Sequence, residues 1–229
     1  MRIRWYGLHT ELDAGAIATL LRKRPYESGA PDGFVVEQLR SNYVEACLIQ
    51  RQQITHEAVD PFGNQESYEI VEYLRTKFRI TPETNSLEMH DPKRGNSRLI
   101  GRLAEALDQR FSIEEAYIDP LAWANGFRNL VGLFGVIERI QIGSIAVADG
   151  VVGQVLVKGS GEVADAAIKF VAPASYSLEK VQLRFSSARG AISFQRNSSV
   201  VLSSGYDDQW LDALRESLYQ LQTPRRRAR

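Results

Sequence analysis

The dipeptide Asp149-Gly150 stands between two strand-like runs, Val136–Ala148 and Val151–Lys158, and it constrains the chain more than any other feature. A connection of two such residues supplies the positive φ angles of a type I′ turn, which forces its flanking strands to pair antiparallel. Similar patterns fill the region upstream. Strands at Phe34–Arg40 and Tyr43–Thr55 flank a tight turn at Ser41-Asn42, and the loop Asp60-Pro61-Phe62-Gly63-Asn64 leads into a long strand over 67–80. Arg2–Leu8, Leu87–His90 and Phe111–Ile118 add further strands, as do Leu178–Ser186, Ala191–Arg196 and Val200–Ser203.

Apolar residues at helical spacing predict four helices. One begins near Asp13 with Ala16, Ile17, Leu20 and Leu21; a second runs from Ser97 to Arg110 with Leu99, Leu103 and Leu107 on one face. A third spans Glu162–Val171, and a fourth spans Asp207–Leu221 with Trp210, Leu211, Leu214, Leu218 and Leu221 on a single stripe. Around Asp119–Asn129 the period lapses, and Pro120, Asn125 and Gly126 mark a seam near residue 128. The expected fold is α+β, two strand-rich units with mostly antiparallel sheets and a few packed helices. The expected domains are 1–128 and 129–222, followed by a basic tail over 223–229.

Charge limits the function classes. The 229 residues carry 28 Lys and Arg against 28 Asp and Glu, which excludes a polycation, so any nucleic-acid surface is a local patch. Residues 1–130 hold 16 basic and 19 acidic side chains, and residues 131–229 hold 12 and 9. Cys47 is the single cysteine, which excludes an internal disulfide and a thiolate-rich metal site and suits a reducing cytosol. The N-terminal residues lack the apolar core of a signal peptide, and the longest uncharged apolar run, around Leu130–Ile137, is far short of a membrane span. A cytoplasmic location is the expectation.

Enzyme signatures are weak. Gly159-Ser160-Gly161-Glu162-Val163-Ala164 matches a dinucleotide-binding string. Its strand closes an antiparallel hairpin instead of opening a parallel βαβ unit, so it reads as a turn with Ser160 as helix cap. His9-Thr10-Glu11 has the H-x-E of zinc deaminases, but one cysteine cannot complete their metal site. His56 with Glu57 and Asp60, or His90 with Glu88 and Asp91, would suit a divalent ion of a metal-dependent hydrolase. No Walker A lysine motif or Gly-x-Ser-x-Gly elbow occurs, and Cys47 lies in an apolar strand. The chain is read as a non-enzyme with no cofactor.

Basic faces carry the stronger signal. Strand alternation puts Tyr73, Arg75, Lys77 and Arg79 on one face and Leu74, Phe78 and Ile80 on the other. Arg94, Arg98 and Arg102 recur every four residues at the start of the second helix, where cations oppose the helix dipole and a phosphate would suit them. Lys180 and Arg184 share the outward face of a later strand, with Arg189 and Arg196 nearby. Arg75, Lys77, Arg79, Arg94, Arg98, Arg102, Lys180, Arg184 and Arg189 are the expected nucleic-acid contacts. Such a surface binds phosphates with little sequence preference and strong salt dependence.

The order of hairpin, short helix, Ser177-Leu178-Glu179-Lys180-Val181-Gln182-Leu183-Arg184-Phe185, a turn at Ala188-Arg189-Gly190, further strands and a closing amphipathic helix resembles the C-terminal part of the RexA phage-exclusion protein family. The resemblance implies a cytoplasmic DNA-binding protein that assembles as a dimer and senses infection for a membrane effector partner. The expected partners are therefore DNA in preference to RNA, a second copy, and another protein. The competing expectation is an adaptor or structural subunit that docks through exposed strand edges or through the stripe ending in Leu218 and Leu221.

Overall fold

A computed structural model describes residues 1–91, 96–172, 174–186, 190–203 and 208–222. The chain is α+β, and its described strands pair mostly antiparallel. It divides into two compact units. One is Tyr6–Glu114, and the other joins Met1–Trp5 to Glu115–Arg229. Strand β1 (Arg2–Thr10) gives its first residues to the latter and the rest to the former. The seam expected near residue 128 falls inside a helix, described below.

In the Tyr6–Glu114 unit, α1 (Ala14–Arg22) starts where the Asp13 carboxylate accepts a hydrogen bond from the Ala16 amide at 2.7 Å. Strands β2 (Asp32–Leu39), β3 (Val44–Val59), β4 (Gln65–Thr81) and β5 (Ser86–His90) follow β1 in the sheet order β2-β3-β4-β5-β1. Helix α2 (Ser97–Ala106) then leads to β6 (Phe111–Glu115), which pairs with β1. Helix α2 ends short of the expected Arg110 because Asp108 and Gln109 take positive φ angles of 52° and 58°. Ile17 and Leu21 of α1 and Leu99 and Leu103 of α2 pack with Phe34, Leu48, Phe78 and Ile80 from one face of the sheet. Beyond the Asp32–Gln50 pair, β3 and β4 continue as a two-stranded ribbon from Arg51–Tyr73 out to Val59–Gln65.

The second unit begins with a helix that the sequence reading did not anticipate, α3 (Pro120–Val131). Asp119 caps it through the Leu121 and Ala122 amides at 2.8 and 3.2 Å, Pro120 sits in its first turn, and Gly132 closes it at φ 67°. Asn125 and Gly126 lie inside it and do not break it. Strands β7 (Gly135–Ala148) and β8 (Val151–Lys158), α4 (Ala164–Val171), β9 (Ser177–Phe185), β10 (Ala191–Gln195), β11 (Ser199–Leu202) and α5 (Asp208–Gln222) complete the unit. The sheet order is β1-β11-β10-β9-β7-β8.

Trp123 and Phe127 of α3 lie fully buried among Phe185, Phe194 and Trp5, with ring centroids 5.3–6.2 Å apart. Each aromatic side chain so buried contributes about 1.5–3 kcal/mol relative to exposure. The Trp123 indole N–H donates to Ser217 Oγ of α5 at 3.0 Å. Leu214 and Leu218 join this core, whereas Leu221 is exposed and leaves the expected stripe.

Two local expectations are corrected. Gly150 has φ 71° while Asp149 does not have a positive φ, so the hairpin turn is not type I′, and the strands it joins are bulged. Helix α4 starts after Val163, without a side-chain cap from Ser160. Glu162 approaches instead, Oε1 accepting from the Ala164 amide at 3.4 Å and Oε2 from the Ile137 amide at 3.2 Å.

Candidate nucleic-acid interface

In the Tyr6–Glu114 unit, Arg75, Lys77 and Arg79 point away from the face that carries Phe78 and Ile80, as alternation requires. Their surroundings differ. Arg79 stacks 3.5 Å over the Tyr43 ring and reaches Glu45 at 3.3 Å, and Lys77 reaches Glu37 at 3.3 Å. Arg75 is exposed with no carboxylate in ion-pair range among the described residues. Beside it Tyr73 is 56 % exposed and stands opposite Arg51 on β3. Arg51 likewise lacks an acidic partner among the described residues, and it was not foreseen because only strand register places it next to Tyr73.

The helical stripe behaves otherwise. Arg102 binds Asp32 at 2.7 Å and Glu105 at 2.8 Å, Arg98 lies 3.9 Å from Asp32, and Arg24 reaches Glu105 at 3.3 Å. Hydrogen bonds that Arg102 donates to Glu105 and Asp32 hold its proton more tightly than usual. These cations therefore have carboxylates where a phosphate was expected. Helix α2 also packs on the sheet face opposite to Arg75, so the strand and helix cations do not form one surface. Arg94 and Arg189 lie outside the described residues, as does the Arg225–Arg229 tail.

In the second unit the helices α3, α4 and α5 contribute to the core on one face of the sheet, and the register defines what lines the other. One cross-strand row runs Lys158, Arg139, Gln182, Ser193, Val201 and Arg2. The next runs Leu156, Gln141, Lys180, Gln195, Ser199 and Arg4. Ser193 and Ser199 are buried, whereas Arg139, Leu156, Lys158 and Arg2 are exposed and Gln141, Lys180, Gln182 and Gln195 are half-buried. Arg184 is held by both oxygens of Glu138, at 2.6 and 3.0 Å, and Arg4 by Glu115 at 2.8 Å.

Arg139, Lys158 and Lys180 have no carboxylate partner among the described residues. Arg139 and Lys158 are exposed and directly opposite each other. Like charges so placed destabilise a sheet unless an anion lies between them.

Neither Arg139 nor Lys158 was singled out in the sequence, and the reason is geometric. An unbroken register from the Ala148–Val151 pair would set Lys158 against Gln141, whereas two irregularities in β7, one around the positive-φ Ser144, shift it to Arg139.

Lys180 lies in a shallow cleft of about 310 Å³, lined also by Tyr117, Gln141, Glu179, Gln195, Arg196 and Asn197, in which Glu179 pairs with Arg196 at 3.4 Å. The Tyr117 hydroxyl donates to Glu115 Oε2 at 2.6 Å. That hydrogen bond, with Arg4 close by, lowers the Glu115 carboxyl below its ordinary range, and Glu115 in turn raises the phenol.

Metal chemistry finds no support among the described residues, where no group of three or more His, Cys, Asp and Glu side chains converges. His56 stacks on Tyr68 at 5.5 Å, Asp60 is occupied by the Phe62 and Asn64 amides at 2.8 Å, and His90 pairs with the buried Glu88 at 2.6 Å. His9 is engaged by Glu114 at 3.0 Å. Burial raises the Cys47 thiol above its usual range, which makes it less reactive as a nucleophile. No helix among the described residues is long and apolar enough to cross a membrane. No protein-family model matches the chain, and no curated protein matches it.

Proposed function

We propose that this protein is a non-enzymatic nucleic-acid-binding protein that contacts the phosphate backbone, DNA in preference to RNA, through the exposed sheet face of its second unit. The observation that carries the reading is the unneutralised Arg139–Lys158 pair, with Lys180 as the next cation on the same face. Arg51 and Arg75 beside Tyr73 offer a second contact of the same chemistry. Backbone contacts of this kind give affinity without base selection. Resemblance to the phage-exclusion family extends the proposal to a cytoplasmic, dimeric sensor in anti-phage defence that signals to a protein partner.

A specific feature favours protein contacts at another place. From Gln52 to Leu74 the ribbon of β3 and β4 carries Glu57, Asp60, Glu66, Glu69 and Glu72 and no Lys or Arg. Phe62 at its tip is 90 % exposed, and Tyr68 and Ile70 are exposed along it. An acidic, apolar-tipped arm repels phosphates and suits a protein partner. The adaptor reading rests on this arm and not on α5, whose Leu214 and Leu218 are already buried in the core.

Fluorescence anisotropy with labelled single- and double-stranded DNA at low salt tests the reading. The expected result is binding that is lost in Arg139→Glu/Lys158→Glu/Lys180→Glu and kept when residues 53–72 are replaced by a two-residue turn. Absence of binding to both DNAs, or full affinity in the triple variant, overturns it.

A further inference from the structure

We infer that the cleft beside Lys180 receives an unpaired base, so that the ligand of this face is single-stranded nucleic acid. The inference rests on the phosphate-binding reading above and deepens it. Tyr117 is 64 % exposed in otherwise polar surroundings, and an aromatic face of this kind is a stacking platform for any base. It is also held in place. Its hydroxyl is tied to Glu115, Glu115 is tied to Arg4 at 2.8 Å, and the Arg196 guanidinium lies 5.8 Å from the ring centroid. A ring fixed in advance loses little entropy when a base stacks on it.

The cleft also offers what a base edge and a phosphate require. Gln141, Lys180 and Gln195 are consecutive neighbours across β7, β9 and β10, so an ammonium group stands between two amides. The Ser199 hydroxyl, with one proton to give, lies 2.9 Å from Gln195 Oε1 and 2.7 Å from Asn197 Oδ1, so the two amides form a polar cluster around it at the cleft. The Gln141 side-chain amide has neither donor nor acceptor engaged among the described residues. Amides present both a donor and an acceptor, which suits several base edges equally and favours none.

Arg139 precedes Gln141 by two residues on the same face, about 7 Å along β7, and Lys158 is opposite it. Lys180, Arg139 and Lys158 thus form a diagonal track of positive charge leading away from the cleft across β9, β7 and β8. A strand whose base stacks on Tyr117 would lay its phosphates along that track. In a duplex the base faces are covered by their neighbours, so the platform distinguishes single strands from double.

The experiment is anisotropy at one fixed low salt with a fluorescein-labelled 20-nucleotide single strand of mixed sequence and with the same strand annealed to its complement. Wild-type protein, Tyr117→Ala, Tyr117→Phe and Arg139→Glu/Lys158→Glu are compared, with circular dichroism to verify folding. The inference predicts that the single strand binds at least about tenfold more tightly than the duplex. It also predicts that Tyr117→Ala removes about tenfold of single-strand affinity while Tyr117→Phe, which keeps the ring, retains it. Equal affinity for the two forms, or single-strand affinity unchanged in Tyr117→Ala, overturns the inference. If in that case Arg139→Glu/Lys158→Glu still abolishes binding, the phosphate reading survives alone; if wild-type protein binds neither DNA, both fall.

Discussion

Arg139 on β7 and Lys158 on β8 are direct cross-strand partners, both exposed, with no carboxylate in ion-pair range of either among the described residues. Selection for stability alone would favour an acid at one of the two positions. Lys158→Glu is therefore expected to stabilise the fold, by about 0.2–1 kcal/mol in urea denaturation, while weakening DNA binding. Opposite signs for stability and affinity in one variant identify a charge kept for a ligand. Loss of stability together with unchanged affinity would show that the pair serves the fold.

The α2 cations make the converse case. Because Arg102 is held between Asp32 and Glu105, Arg102→Ala is expected to leave DNA affinity within about twofold and to lower stability modestly, about 0.5–1 kcal/mol for a partly exposed ion-pair cluster. A large loss of affinity in this variant would return α2 to the interface.

Ser217 of α5 supports the aromatic core through the Trp123 indole, which has only the Leu214 carbonyl oxygen at 3.4 Å as an alternative acceptor. Ser217→Ala should cost about 1–3 kcal/mol in chemical denaturation, because the buried N–H loses its better partner. A change indistinguishable from zero would show that the longer contact suffices.

The Tyr117–Glu115 hydrogen bond carries a pH dependence at both ends. Tyr117 and Arg4 lower the folded-state pKa of Glu115, so its stabilising contribution is present above the ordinary carboxylate range and disappears as pH falls through that lowered value. Glu115 raises the Tyr117 phenol, so this contribution is present below the ordinary phenol range and disappears as pH rises through the raised value. Ultraviolet titration, with Tyr117→Phe as the subtraction reference, should show Tyr117 ionising at lower pH in Glu115→Gln than in the wild type. No difference would mean that the hydrogen bond does not form in solution.

Periodicity and turn chemistry made most of the strands and four of the helices legible, because alternation at β4 and helical spacing at Ile17, Leu21, Leu99 and Leu103 are local signals. Helix α3 was missed although Asp119-Pro120 is an N-terminal signal of the usual kind, because Asn125 and Gly126 outweighed Trp123 and Phe127, whose burial depends on distant Phe185 and Phe194. The affiliation of Met1–Trp5 with residues 115–229 is a long-range pairing of β1 with β11 that no local pattern encodes. The candidate site was legible only in part. Arg75 and Lys180 remain accessible cations, but whether Lys77, Arg79, Arg98, Arg102 and Arg184 meet carboxylates depends on register and helix packing. The Arg139–Lys158 pair exists only because bulges displace β7 against β8.

The most direct measurement is the salt dependence of single-stranded DNA affinity, taken for the wild type and for the charge-neutralised triple variant Arg139→Gln/Lys158→Gln/Lys180→Gln at several salt concentrations low enough for both to bind. Each phosphate contact contributes roughly 0.7 to the slope of log affinity against log salt. The account predicts a wild-type slope steeper than that of the triple variant by about two. Equal slopes would mean that these three cations do not touch the nucleic acid, and would contradict the proposed function of this face.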